Sequence, residues 1–283
     1  VHRWDPEKAV ELIQKEKVTQ FNGAPSMVQQ LIGLPGFEQP ESSGNLSGVG
    51  FGGAGLHPRL IDEVLTKFKG RMSGIGFGLT ESNGVCAGSS GRMFEAHPRS
   101  SGVLSPIIEV RIADLDGTAL PIGEPGEIWL RGVTLMERYC GDAEATAKAM
   151  QGGWFHTGDI GVLDDEGFLT IVDRIKDVIK TAGEWTSSLQ LEDVVMQHEA
   201  VSEVAVIGLP DEKWGERPMA LVVLKPDFEG RITESAIRHF AAHLVETTGI
   251  SRHGVLLQVR FVKSLAKTSV GKINKREMRE SFV

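Results

Sequence analysis

Gly161–Lys180 reads GVLDDEGFLTIVDRIKDVIK, and the fold follows from how this stretch is divided. Asp164-Asp165-Glu166-Gly167 has the composition of a tight turn with glycine where φ must be positive. Phe168–Val172 is apolar and β-branched enough to be the returning strand of a hairpin. Asp173-Arg174-Ile175-Lys176-Asp177 then carries four charges in five residues before the apolar pattern resumes at Val178-Ile179. A buried strand would not tolerate that insertion, so the charged run is expected at the surface, and the stretch is expected to be the joint between two domains.

The chain of 283 residues is long enough for roughly two domains with full cores. With 41% hydrophobic and 24% charged residues it has the composition of a globular protein. No apolar run approaches the ~18 residues that a membrane span requires. The formal charge of -8 argues against nucleic acid as the main partner, while leaving room for a local basic pocket that takes a small phosphate compound. Cys86 and Cys140 are the only cysteines. They lie far apart without CxxC or histidine spacing, which supports neither a disulfide framework nor a zinc site and fits a reducing, cytoplasmic location. Val1 is not an initiator methionine, and Asp5-Pro6 immediately offers a helix N-cap and first-turn proline, so the sequence is expected to open inside a domain.

Upstream of the joint, helices and strands alternate. Pro6–Glu16, Pro25–Ile32 and Pro58–Phe68 read as helices, and Val18–Phe21, Leu46–Phe51 and Met72–Phe77 as strands, which is the texture of an α/β layer. Leu34–Ser47 is rich in Gly, Pro and Ser and reads as a loop. Two glycine clusters interrupt the layer. Gly48–Gly53 satisfies GxGxxG on paper, yet its glycines fall within a strand, and Phe68 and Lys69 stand where an acidic ribose ligand would be needed. A dinucleotide site is therefore excluded. Gly52-Gly53-Ala54-Gly55 would still let a flat ligand lie against bare backbone at a strand end, with tight strand–helix packing as the plain alternative. Gly76-Phe77-Gly78-Leu79-Thr80-Glu81-Ser82 brings an aromatic, a hydroxyl and a carboxylate onto one loop, suited to base stacking, phosphate contact and Mg²⁺ coordination.

From Ser101 to about Val172 the texture becomes strands with short turns. Ile108, Val110 and Ile112 alternate with Glu109 and Arg111, and Glu127–Arg131 repeats the pattern, so a small antiparallel sheet or barrel is expected. Ala143–Met150 reads as an inserted helix. His156 invites a metal or general-base role, but a lone histidine without partner carboxylates is more often a packing residue.

Five segments now stand in order: GFGLTES (Gly76–Ser82), GEIWLRG (Gly126–Gly132), GWFHTGDIG (Gly153–Gly161), DRIKDVIKTAGEW (Asp173–Trp185) and KTSVGKINKRE (Lys267–Glu277). Together they resemble the signature motifs of the adenylate-forming acyl-CoA synthetase superfamily, in that family's order and spacing. The GEWTSS variant and the KTSVGK ending are most similar to fatty-acyl and medium-chain acyl-CoA ligases. The family's Ser/Thr/Gly-rich phosphate loop matches nothing in these 283 residues. By this resemblance the chain is the C-terminal portion of a longer enzyme, lacking the N-terminal half of the large domain and inactive by itself. Ala266, where the family usually has Pro, and Phe77, where Tyr is commoner, are smaller departures.

The resemblance implies a two-step reaction. A carboxylic acid and Mg-ATP give an acyl-adenylate, and coenzyme A then takes the acyl group with release of AMP. Lys272 matches the family's mobile lysine for the first step, where charge builds on the α-phosphate. A Walker loop is excluded there, because Ala266 and Ile273 occupy its first Gly and its Ser/Thr positions. Thr80 and Glu81 match the phosphate and Mg²⁺ contacts, and Asp159 with Arg174 the pair that holds the ribose hydroxyls. Gly53, Ala54, Phe77 and Gly78 are implied for the nucleotide. Lys180, Gly183 and Trp185 are candidates for the coenzyme A channel, and Lys176 matches the hinge about which a C-terminal domain would turn between the two steps. Carrier-protein loading, or nucleotide or partner binding without catalysis, remain as alternatives.

Beyond the joint, Ser187 and Gln190 suggest a capping box for a helix over Leu189–His198. Val204–Leu209 and Met219–Leu224 read as strands, Thr233 opens a helix, and a strand near Val255–Val262 precedes a last helix from about Asn274. The expected architecture is α/β plus α+β. Residues 1–100 would form the end of a large α/β domain, 101–173 a small antiparallel β subdomain, and 174–283 a mobile C-terminal α+β domain.

Overall fold

A computed structural model describes residues 4–37, 45–52, 58–114, 116–245, 248, 250, 252–268 and 272–282. The chain divides into two compact units, Val1–Ile171 and Val172–Val283. Its mixed α/β class, with several sheets, is the one the sequence patterning leads to.

In the first unit, α1 (Pro6–Lys15) starts where the Asp5 carboxylate accepts from the Lys8 amide and Pro6 supplies a pre-set φ. It is followed by β1 (Gln20–Gly23), α2 (Pro25–Ile32), β2 (Gly48–Gly52), α3 (Pro58–Lys67), β3 (Gly74–Leu79), β4 (Gly84–Ser90), α4 (Arg92–Ala96) and β5 (Val103–Leu104). The sheet order is β1-β2-β3-β4-β5, with β1, β2 and β3 parallel and β4 and β5 joining antiparallel. Leu31, Val49, Phe51, Leu60, Val64 and Phe94 close one core between helices and sheet. Burying each such side chain contributes about 1.5–3 kcal/mol. At Gly48 of β2 the missing side chain is a packing requirement. A Cβ on Gly48 would sit 2.4 Å from the Met72 carbonyl, and one on Gly50 1.9 Å from Asn22 Oδ1.

The second sheet runs β6 (Ile108–Ala113), β7 (Gly126–Gly132), β8 (Phe155–Leu163) and β9 (Leu169–Arg174), in that order, with α5 (Ala143–Ala149) inserted between β7 and β8. Ile112, Ile128, Leu130, Phe155 and Leu169 pack its inner face. The β8–β9 turn is built by Asp164, whose Oδ1 accepts from the amides of Glu166 (3.1 Å) and Phe168 (2.8 Å), while Gly167 takes φ +84°.

The second unit begins within β9. It adds β10 (Ile179–Thr181), β11 (Glu184–Thr186), α6 (Ser188–Met196), β12 (Val201–Asp211), β13 (Gly215–Leu224), α7 (Glu234–Val245), β14 (Gln258–Phe261) and α8 (Lys275–Glu280). The sheet order is β11-β10-β13-β12, and β14 lies parallel on β13. Period-two alternation sorts its residues. Val204, Val206, Ala220 and Val222 join the core that includes Leu191 of α6 and Ile237 of α7, whereas Ala205, Ile207, Met219 and Leu221 pack with Met278 of α8.

The charged run at 173–177 is not the solvated insertion that its composition suggests. Asp173 is 2% exposed and Asp177 9%, and only Arg174 and Lys176 are open to solvent. Asp173 is satisfied by four donors: the Ser188 amide (2.6 Å), the Ser188 hydroxyl (2.9 Å), the Ser187 hydroxyl (3.2 Å) and the Arg174 amide (2.7 Å). A carboxylate at the N-terminus of α6 is favoured by the helix dipole and by these charge-assisted bonds. Lys275 completes the network, donating to Ser188 Oγ at 2.7 Å and pairing with Glu192 at 2.6 Å. Arg279 pairs with Asp177 at 2.9 Å. Ser187 caps α6 through the Gln190 amide at 3.2 Å.

Candidate functional site

At the end of β3 the chain enters a single 3₁₀ turn, Thr80–Ser82, and leaves it through Asn83 at φ +53°. Ser82 fastens the turn to its own strand, accepting from the Leu79 amide at 3.0 Å and donating to the Gly84 carbonyl at 2.8 Å. Gly78 sits at a bulge between β3 and β4, where a Cβ would come within 2.1 Å of the Gly84 carbonyl oxygen. Only glycine fits there. Phe77 is half-buried against the core of the second sheet, Thr80 is exposed and Glu81 half-buried.

Three bonds from a distant segment hold this turn. The Met136 amide donates to the Glu81 carbonyl at 2.7 Å, Asn83 Nδ2 to the Thr134 carbonyl at 2.8 Å, and the Tyr139 hydroxyl to Glu81 Oε1 at 2.9 Å. Among the described residues no cluster of three or more His, Cys, Asp or Glu could form a protein-only metal cage. Mg²⁺ does not require one, since it is commonly held by one or two carboxylates plus substrate phosphates. A half-buried carboxylate beside an exposed hydroxyl fits that donor set. Gly53 and Ala54, also expected here, lie outside the described residues.

Asp159 is buried in β8. Its amide donates to Thr157 Oγ1 at 3.0 Å, and Thr157 in turn donates to the Ile128 carbonyl at 2.7 Å. Arg174 ends β9 and is exposed, so the two residues expected to share a ribose belong to different units. His156 has a packing role, with its ring 4.0 Å from that of Trp129. It is not without a carboxylate, however, since Glu127 Oε2 lies 3.7 Å from its Nδ1.

In the second unit Lys180, Gly183 and Trp185 share one hairpin. Ala182 and Gly183 form its two-residue turn with φ of +54° and +83°, the geometry that matches strand twist. Lys180 and Trp185 pair across the strands, and Lys180 Nζ lies 5.3 Å from the ring centroid of Trp185, which is 43% exposed. The Lys180 amide donates to Glu216 Oε2 at 2.7 Å. Lys272 is exposed at the foot of the last turn before α8. Its carbonyl accepts from the Thr268 amide at 2.7 Å, and its amide donates to Thr268 Oγ1 at 3.2 Å. Ser269, Val270 and Gly271 lie outside the described residues. Lys176 is exposed in a turn whose Asp177 and Val178 amides both donate to the Arg174 carbonyl at 2.9 Å.

The structure therefore brings together Phe77 and Gly78 at the end of β3 with Thr80 and Glu81 in the turn that follows, and Lys180, Gly183 and Trp185 on one hairpin; the loop expected over Gly76–Ser82 is a strand as far as Leu79. Tyr139 was not legible as a site residue, because 58 positions separate it from Glu81 and no local period links them. The one signal was composition, since it is the only tyrosine in the chain.

Comparison with known proteins gives the family. The profile described as "AMP-binding enzyme" matches residues 1–140, and "AMP-binding enzyme C-terminal domain" matches residues 190–272. The 4-coumarate–CoA ligase 1 of Solanum tuberosum is 34% identical over 99% of this chain and 51% of its own length. Among solved structures, the amide bond synthetase McbA from Marinactinospora thermotolerans superposes with a TM-score of 0.86 at 29% identity, over 99% of this chain and 56% of that one. The anthranilate CoA ligase AuaEII, in complex with anthranoyl-AMP, superposes with a TM-score of 0.84 at 28% identity, over 98% and 52%. The chain spans about half the length of the relatives it matches. With both family profiles in order along its length, the chain belongs to the AMP-binding enzyme family.

Proposed function

We propose that the protein carrying this chain activates a carboxylic acid with ATP, forming an acyl-adenylate and pyrophosphate, and passes the acyl group to coenzyme A with release of AMP. The observation that carries this reading is the Thr80–Ser82 turn, where a hydroxyl and a carboxylate project from a glycine-bounded strand end in a chain that matches both family profiles. In this reading Thr80 contacts phosphate, and Glu81 is the protein ligand of Mg²⁺, which supplies charge neutralisation at the phosphates when bound. Phe77, Gly78, Gly53 and Ala54 lie along the nucleotide, and Asp159 and Arg174 take the ribose hydroxyls. Lys272 meets the charge that develops on the α-phosphate during adenylation. Lys180, Gly183 and Trp185 serve coenzyme A, and Lys176 is the pivot between the steps.

For the acid, an aryl or arylacrylic carboxylate has more support than the fatty acid suggested by GEWTSS. Two of the three relatives named above are a coumarate ligase and an anthranilate ligase. The test is pyrophosphate exchange and thioester formation by the full protein, across aryl, arylacrylic and medium- and long-chain acids. Exchange with none of them would sink the reading, and exchange confined to alkyl acids would restore the fatty-acyl assignment. A second reading, in which an amine rather than a thiol accepts the acyl group, is favoured by the resemblance to an amide bond synthetase. Amide formation in the absence of coenzyme A separates the two.

A further inference from the structure

The Glu81 carboxylate is held by a residue far away in sequence. Its Oε1 accepts from the Tyr139 hydroxyl at 2.9 Å, while among the described residues Oε2 has no protein partner. The tyrosine is itself anchored. Its amide donates to Thr146 Oγ1 at 3.0 Å, and Thr146 sits on α5, which Asp142 caps through the Ala145 amide at 2.8 Å. The bonds from Met136 to the Glu81 carbonyl and from Asn83 to the Thr134 carbonyl fix the same two segments to each other. Residues 134–146 thus clasp the Thr80–Asn83 turn at one backbone carbonyl and at two side chains, those of Glu81 and Asn83.

We infer that Tyr139 is a positioning residue for Glu81: its hydroxyl holds the carboxylate in one orientation, so that Oε2 is presented to the divalent cation of a bound nucleotide. This rests on the cation role proposed for Glu81. A free glutamate side chain loses about 1.5–2 kcal/mol of rotamer entropy on being fixed. A tyrosine with two torsions, half-buried and donating to a charged acceptor, makes that cost part of folding and not of binding.

Tyr139→Phe keeps the ring and removes only the donor. In the full protein, calorimetric titration of ATP at a series of Mg²⁺ concentrations should show the Mg²⁺ requirement rising by roughly three- to tenfold, the effect expected for one charge-assisted hydrogen bond. Affinity at saturating Mg²⁺ and the melting temperature should change little. As a signature independent of turnover, the ring ζ-carbon resonance of Tyr139, identified by its loss in Tyr139→Phe, should shift on titration with Mg²⁺ and ATP together. Glu81→Gln is the control for the underlying reading. If Glu81→Gln raises the Mg²⁺ requirement and Tyr139→Phe does not, the positioning role is overturned. If neither variant moves it, the cation role of Glu81 falls as well.

Discussion

The role proposed for Lys272 asks little of its setting. Its backbone is tied to Thr268 on both sides, and its side chain stands in solvent at the foot of a turn. A cation held by its backbone but free at its tip can meet charge that exists only while a bond is forming. In the full protein, Lys272→Ala is therefore expected to lower adenylate formation by about a hundredfold or more, the usual loss for one preorganised electrostatic contact. Thioester formation from supplied acyl-adenylate should survive, and equal loss in both half-reactions would give the lysine another role. Thr80, Glu81 and Lys272 could be singled out as candidates because each lies in a motif only a few residues long. Tyr139 could not, since its meaning lies in a contact across 58 residues.

At the level of elements, the charged run at 173–177 is where composition misled. Four charges in five residues look solvated, but two of them face inward because α6 and α8 supply amides, hydroxyls and cations to receive them. No sequence window containing the turn includes those partners. Lys275, 10% exposed at its side chain against 3% for Glu192, ties α8 to α6 through that carboxylate and Ser188. Lys275→Met would leave Glu192 buried without its cation, and should cost about 3 kcal/mol or more in urea unfolding. A loss below about 1 kcal/mol would mean that the pair behaves as a surface ion pair. Lys176, in contrast, is exposed, and proline there fixes φ near -65° while restricting Ile175. If Lys176 is the pivot between half-reactions, Lys176→Pro should leave adenylate formation within about twofold and slow thioester formation by roughly tenfold, about 1.4 kcal/mol in barrier. Unchanged rates for both steps in a folded variant would remove the hinge role.

For the whole molecule, period and punctuation carried the class of fold but not the economy of its cores. Strand–helix alternation upstream and short alternating strands downstream were readable residue by residue, whereas the two-faced burial of the last sheet depends on which helix covers each face. In residues 172–283 one face packs Leu191, Val206, Val222 and Ile237, and the other Ile207, Leu221 and Met278. Asp173 bonds Ser187 and Ser188, and Lys275 pairs with Glu192, inside the same unit. A segment of 112 residues (283 - 172 + 1) with two internal cores and internally satisfied charges has what independent folding requires. Residues 172–283 expressed alone should therefore unfold in one cooperative transition, with a free energy of about 5 kcal/mol or more. Coincident melts followed by circular dichroism and by fluorescence of Trp185 and Trp214 would show it. A broad transition, probe-dependent midpoints or strong dye binding by exposed apolar surface would show that the second unit draws its stability from outside its own chain segment.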